Sequence, residues 1–151
     1  MAKVNGIGWS TLTSELELVL ATFENDQILI LQRRGTGRYV QLFVNEPGSL
    51  HIEVSSNTFL PPKARLTEQN EVSLRALGWR PPSKGGAPNY SADLKGPRAT
   101  AKAVTLTVRT LAGVLGTGSP AELEYDAFEA RGGPIVLPPL KLERMRRGKA
   151  P

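Results

Sequence analysis

The sequence predicts a single α+β domain, in which an antiparallel β-sheet is combined with helices in the order α-β-β-β-α-β-α(-β). Its 151 residues fit one hydrophobic core. Some segments repeat apolar residues at helical spacing, whereas others are short and β-prone, and glycine and proline clusters separate them. We assign residues 1–142 to the domain and residues 143–151 to a basic, disordered tail.

The string STLTSELELVLATF predicts an amphipathic first helix. Ser10 or Thr11 is the expected N-cap, because a hydroxyl can accept a hydrogen bond from a free amide of the first turn. The apolar side chains at helical spacing are Leu12, Leu16, Val19, Leu20 and Phe23.

Three β-prone strings follow, QILILQRR, RYVQLFVN and SLHIEVSS, and the turn-forming strings GTG and NEPGS separate them. They predict an antiparallel meander. In the third strand, Leu50, Ile52 and Val54 alternate with His51 and Glu53, which is typical of a strand with one buried face.

The other face of this meander is expected to be semi-apolar. It carries Tyr39, Gln41 and Phe43 in the second strand, and the first strand is apolar on both sides from Ile28 to Leu31. Because large apolar patches are uncommon on monomers, something should cover part of this face. The cover could be a helix or the C-terminal segment of this chain, a second copy, or a client peptide.

Pro61 and Pro62 lack the amide hydrogen that a strand ladder needs, so we expect them to end the third strand and to impose an extended crossover. Thr67 should then cap a second helix that runs to about Leu77, with acidic residues in its first turn.

Gly78 can take the left-handed conformation that ends a helix, and Trp79 should pack back on Leu74 in the last turn. The other interpretation of Trp79 is an exposed binding residue. We therefore keep Trp79 among the candidate peptide contacts.

The rest of the chain predicts a short fourth strand in NYSADL, a helix over residues 99–115 and a strand in AELEYDAFEA. Pro120 could equally begin a short helix. The string GGPIVLPPLKL should extend across a surface, since its prolines exclude a central strand.

The net charge of +5 is concentrated at the C-terminus. The basic residues there are Lys141, Arg144, Arg146, Arg147 and Lys149, against the single acid Glu143. We expect a solvated tail, and the alternative is electrostatic contact with RNA, DNA or an acidic partner.

Arg33, Arg34 and Arg38 lie beside Tyr39 and Phe43 in the sequence, a combination that would suit stacking on nucleic-acid bases. The alternative function is therefore a nucleic-acid-associated protein that uses these arginines together with Arg144, Arg146 and Arg147.

The chain has no cysteine and a single histidine, His51, on the polar side of the third strand. This excludes disulfides, thiolate nucleophiles and the common cysteine and histidine metal sites. The glycine strings match neither a dinucleotide-binding motif nor a P-loop. We assign no catalytic residue, cofactor or metal site, and we expect a protein that is not an enzyme.

Apolar runs fall far short of the about 20 residues that span a bilayer. We expect a cytoplasmic protein with no membrane partner.

Several strings resemble the bacterial TY-Chap proteins, relatives of type III secretion chaperones and of YbjN-like domains. They are RYVQLFV, EVSSNTFLPP, RLTEQNEVSLRALGW, PNY, VRTL, LEYDAF and LPPL. The resemblance covers about residues 10–142 and is most specific from Glu53 to Trp79. It implies a helix, three antiparallel strands, a helix, further strand material and a helix, with a role in holding peptides or partner proteins without ATP.

We therefore expect a chaperone-like module that binds a client peptide or protein, in the form of a homodimer. The client should lie on the face bearing Tyr39, Gln41 and Phe43 or along a free strand edge, and His51 and Trp79 complete the candidate contacts. A purely structural dimerisation module, whose semi-apolar face meets its own copy, is a third alternative.

Overall fold

The computed structural model describes residues 8–145. Its helices are α1 (Trp9–Ala21), α2 (Glu68–Ala76) and α3 (Ala99–Gly113), with short 3-10 turns at Pro62–Ala64 and Pro120–Glu122. The strands are β1 (Gln27–Arg33), β2 (Tyr39–Glu46), β3 (Ser49–Val54), β4 (Tyr90–Lys95), β5 (Leu123–Glu129) and β6 (Glu143–Arg144). The predicted order of elements is confirmed, with β6 as an addition. None of the helices in the described range is long and apolar enough to cross a membrane.

The strands form one sheet in the order β4-β3-β2-β1-β5-β6. β1 to β3 are the predicted antiparallel meander, and β4 and β5 pair antiparallel with β3 and β1. The predicted antiparallel pairing is confirmed for β1 to β5, and β6 makes the sheet mixed because it runs parallel to β5. After β5 the chain turns back at the Phe128–Pro134 bridge and re-enters the sheet with Glu143 beside Glu124.

The sheet thus includes Glu143 and Arg144, two residues that the sequence assigned to a disordered tail. A strand of two residues has no alternation for a pattern to detect. The rest of that tail, residues 146–151, lies outside the described residues.

The core lies between the sheet and the helices. α1 packs on α3, and α3 packs on β2, β3 and β4. The fully buried strand side chains are Leu29, Leu31, Val40, Leu42, Ile52, Val54, Tyr90, Leu123 and Ala127. The C-terminal segment packs on the same side, since Leu140 is buried in this core and the Lys141 amide donates to the Glu15 carboxylate at 3.2 Å.

The expected N-cap of α1 is wrong. The helix begins at Trp9, and its N-cap is Gly8, which has no side chain to bond the first turn. Ser10 and Thr11 lie inside the first turn instead. Trp9 packs against the core, so tertiary contact extends the helix past the residues that its local sequence favours as caps.

The expected cap of α2 is confirmed. The Thr67 hydroxyl accepts a hydrogen bond from the Asn70 amide at 3.0 Å, and the Asn70 side chain accepts one from the Thr67 amide at 2.9 Å. At the other end, Gly78 has a φ of +107°, and the Trp79 amide donates to the Leu74 carbonyl at 3.1 Å. This is the left-handed helix ending that the glycine predicts.

The prolines do not end the third strand, which corrects their predicted role. β3 ends at Val54, where Ser55 and Ser56 turn the chain by hydrogen bonds to β2 and to the loop before β4. Pro61 and Pro62 come later and begin the 3-10 turn that leads to α2. The strand therefore ends well before the two prolines.

Candidate functional site

The face of the sheet opposite the helices is the candidate site, and we call it the open face. Its side chains alternate with the buried ones along each strand and are half-buried or exposed apart from Ser91, which is buried. They are Ile28, Ile30, Gln32, Tyr39, Gln41, Phe43, His51, Glu53, Ser91, Asp93, Glu124, Asp126 and Phe128. Within residues 8–145, no helix packs on this face.

The middle of the open face is apolar. Strand register places Ile28 beside Phe43, and the next positions along the same two strands are Ile30 and Gln41. Tyr39 lies one step further along β2. We call Ile28, Ile30, Tyr39 and Phe43 the apolar strip. Because same-face residues of a strand repeat about every 6.6 Å, the strip is roughly 13 Å long and two strands wide.

A polar cluster borders the strip on β3 and β4. His51 contacts Asp93 through Nδ1 at 2.8 Å and Glu53 through Nε2 at 2.9 Å, and Arg80 donates to the other oxygen of Asp93 at 2.6 Å. A carboxylate only accepts, so both His51 contacts are hydrogen bonds when both ring nitrogens carry hydrogen. The hydrogen bond from His51, together with that from Arg80, lowers the pKa of Asp93 against the opposing effect of partial burial.

This cluster also holds the ends of the strip. The His51 ring lies 5.0 Å from the Phe43 ring, centroid to centroid, at an angle of 44°. At the other end, the Asn89 side chain donates to the Tyr39 hydroxyl at 3.1 Å and to Glu53 at 3.2 Å. Both aromatic rings of the strip are therefore positioned by the protein itself before any partner binds.

The strand edges offer less to a partner than the face does. β4 is an edge strand, but both backbone groups of Ser91 are bonded to Arg80, which closes its first part. On the other side, Pro134 and Ile135 pair with the end of β5, and β6 pairs with its beginning. Added-strand binding along an edge is therefore restricted to a few residues of β4 and to the short β6.

The open face is acidic. Its strands carry five carboxylates, Glu53, Asp93, Glu124, Asp126 and Glu143, against Lys95 at its corner, and Arg34 pairs with Glu143. Arg80 lies beside the face and is paired with Asp93. A positively charged partner would meet a favourable potential here.

The family described as TY-Chap3, T3SS (YopN, CesT) and YbjN peptide-binding chaperone 3, matches residues 4–129. The chain belongs to this family. The match runs from before α1 to the end of β5, so it includes β1 to β5 but not β6. It confirms the resemblance inferred from the sequence strings. No curated protein and no solved structure matches the chain.

The TY-Chap3 fold brings four of the five predicted peptide contacts together. Tyr39, Gln41, Phe43 and His51 all lie on the open face, in adjacent strands. Trp79 does not join them, because its side chain is 2% exposed and packs on the helix side. Its indole Nε1 donates to the Thr110 hydroxyl of α3 at 3.0 Å. The structure therefore offers no surface of Trp79 to a partner.

The three arginines predicted for nucleic acid are bonded to the protein itself. Arg33 pairs with Glu122 at 3.4 Å, and Arg34 donates to the backbone carbonyls of Ala121 and Leu123. Arg38 donates to three backbone carbonyls, which belong to Ala64, Arg65 and Leu115.

Of the arginines predicted at the C-terminus, Arg144 has its guanidinium 5.9 Å from the Tyr125 ring centroid. Arg146 and Arg147 lie outside the described residues.

The sequence pattern missed several residues of the site. Ile28 and Ile30 could have been found, since β1 is apolar on both sides and one side had to face away from the helices. Sequence patterns could not have found Arg80, Asn89 and Asp93. These residues reach the open face from a loop and an edge strand whose position depends on the tertiary fold.

Proposed function

We propose that this TY-Chap3 protein is a non-enzymatic module that holds an extended client segment on the open face of its sheet. The observation that carries the proposal is the apolar strip of Ile28, Ile30, Tyr39 and Phe43, on the sheet face opposite the described helices. The family description, a peptide-binding chaperone, supports the same class of partner.

The shape of the strip suits an extended peptide. Alternate side chains of an extended chain point the same way at a spacing of about 6.6 Å, which matches the spacing along β1 and β2. Two or three apolar side chains of a client can therefore contact the strip at once. Gln41 lies between the strip residues and offers an amide that can both donate to and accept from a client backbone.

The size of the strip predicts weak and reversible binding. A fully buried apolar side chain contributes about 1.5 to 3 kcal/mol, and association costs at least about 4 kcal/mol in lost freedom. Three such anchors leave about 5 kcal/mol at most, which corresponds to dissociation constants of about 0.2 mM or weaker. Such affinity suits a protein that holds and then releases its client without nucleotide.

The charges on the open face predict the kind of client. Because carboxylates flank the apolar strip on β3, β4 and β5, a segment that alternates apolar residues with lysine or arginine fits better than an acidic one. The same charges disfavour nucleic acid on this face, since phosphates would meet like charge.

The test is a titration of a labelled peptide that alternates leucine and lysine, read by fluorescence anisotropy. Phe43→Ser should weaken binding by about tenfold, the effect of losing one apolar anchor. Leu18→Ser is the matched control, since Leu18 is 62% exposed on α1, on the other side of the sheet. Equal affinities for both variants and the parent protein would contradict the proposal.

A second copy of the chain is the competing occupant of the open face. Light scattering with and without the peptide shows whether the open face holds a client peptide or a second copy of the chain. A dimer that Phe43→Ser converts to a monomer, with no peptide binding by either form, would favour the dimerisation module over a client-holding protein.

A further inference from the structure

The helix side of the protein carries a groove that the proposed function does not use. Two adjoining cavities of about 700 Å³ and about 430 Å³ run along α3, and they share Leu77 and Arg109 in their walls. The first lies between α2, α3 and Trp9, and the second continues toward the beginning of α3. Together we call them the helix groove.

The floor of the helix groove is apolar. Trp9, Leu77 and Val108 line its deeper part and are half-buried, whereas Ala76 and Ala112 are exposed on its walls. Alanine on both walls leaves room for a partner to approach closely. The groove is thus a concave apolar surface, the kind of surface that marks a protein contact.

The rim of the helix groove is basic. Arg98, Lys102 and Arg109 line it, and no acidic residue does. The α3 sequence from residue 99 to residue 113 contains no aspartate or glutamate. Within the described part of the chain, none of these three side chains forms a salt bridge. Their charge is therefore available to a partner.

The walls of the groove determine the conformation of its occupant. Apart from Leu94 of β4, which lines the second cavity, both walls are helices whose interior backbone groups are already bonded within each helix, so an extended peptide finds little free backbone to pair with. A helix satisfies its own backbone and needs only side-chain contacts. α3 has 15 residues and is about 22 Å long, which accommodates about four turns of a partner helix.

We propose that the helix groove is a second docking site, which binds an amphipathic helix with an apolar face flanked by carboxylates. Leucine-like side chains at positions i, i+3 or i+4, and i+7 would lie over Leu77 and Val108. Aspartate or glutamate beside them would face Lys102 and Arg109. The groove therefore selects a partner of opposite charge and different conformation from the segment proposed for the open face.

The test uses two synthetic peptides of about four helical turns. Both carry leucine on one face, and one has glutamate where the other has lysine. Fluorescence anisotropy should show binding of the glutamate peptide at low salt and at least tenfold weaker binding of the lysine peptide. Affinity for the glutamate peptide should fall as salt is raised.

The double variant Lys102→Glu with Arg109→Glu should weaken binding of the glutamate peptide at least tenfold and improve binding of the lysine peptide. The matched control is Lys84→Glu with Arg131→Glu, which reverses one lysine and one arginine in exposed turns outside the groove walls. A third variant, Ala76→Glu with Ala112→Glu, blocks the apolar walls at exposed positions. Circular dichroism checks that each variant is folded.

Equal binding of the two peptides, an equal effect of the control variant, or no binding of the glutamate peptide would overturn the proposal. So would a dimer in light scattering that the Ala76→Glu with Ala112→Glu variant dissociates, because the occupant would then be a second copy. The Lys102→Glu with Arg109→Glu variant should lose the glutamate peptide but still bind the peptide that alternates leucine and lysine. That result would show that the helix groove and the open face are separate sites.

Discussion

Trp79 offers the most direct test of how α2 is attached to the fold. Its side chain is 2% exposed, and its indole nitrogen donates to the Thr110 hydroxyl at 3.0 Å. Trp79→Ala removes a large buried ring, and such changes cost about 3 to 5 kcal/mol of unfolding free energy. Trp79→Phe keeps most of the ring but loses the hydrogen bond and leaves the hydroxyl without a partner, so we expect a cost of about 2 kcal/mol.

The hydrogen bond itself can be isolated with a double-mutant cycle. Thr110→Val removes the acceptor, and the double variant with Trp79→Phe removes both partners. We expect a coupling free energy of about 1 kcal/mol, because the two side chains are in direct contact. Urea unfolding followed by far-ultraviolet circular dichroism provides all four free energies, and it does not depend on the tryptophan that is being changed.

The reasoning would be refuted by a Trp79→Ala variant that loses less than about 1 kcal/mol. That result would mean that the indole is not part of the core. If the same variant lost peptide binding at full stability, Trp79 would be an exposed contact, as the other interpretation of the sequence allows.

Arg38→Ala should cost about 2 kcal/mol in urea unfolding, because the charged side chain donates to three carbonyls that join β2 to the turn before α2 and to the end of α3. Arg38→Lys should restore little of the lost stability, since one ammonium cannot reproduce the planar, forked donors of the guanidinium. An Arg38→Ala variant with unchanged stability that loses RNA or DNA binding would support the nucleic-acid alternative. Gly78→Ala should cost about 1 kcal/mol because φ is +107°, whereas Gly113→Ala, inside α3 with open space at its Cβ position, should be neutral or stabilising. The pKa of Asp93 is lowered in the folded protein, so its contribution to stability is present above the pKa of the unfolded chain and is lost as the pH falls through the lower folded value. Melting temperatures between pH 6 and pH 2 should therefore fall less steeply for Asp93→Asn than for the parent protein, and parallel curves would show that the Asp93 contacts are not formed.

Local patterns were enough to predict the helices and the longer strands. The alternation in β2 and β3 and the glycine after α2 each reflect a rule that acts over a few residues. These rules could also place Tyr39, Gln41, Phe43 and His51 on one face, because alternate residues of paired strands share a face.

What depends on distant contacts could not be predicted. β6 forms because the chain returns along β5, and Trp9 extends α1 because it reaches the core. The choice between a buried and an exposed Trp79 depends on Thr110, which lies 31 residues away in the sequence. The sequence also left open whether a helix covers the second face of the sheet. The answer depends on tertiary packing, because α1 packs on α3 and α3 packs on the opposite face.

Isoleucine methyl NMR tests the central claim most directly, because the chain has isoleucines on both faces of the sheet. Ile28 and Ile30 belong to the apolar strip, whereas Ile52 is fully buried against the helices. On addition of the leucine-lysine peptide, the account predicts shifts of the Ile28 and Ile30 methyl signals in proportion to binding, with Ile52 unchanged. Binding that leaves Ile28 and Ile30 unchanged would contradict the claim that the open face holds the client.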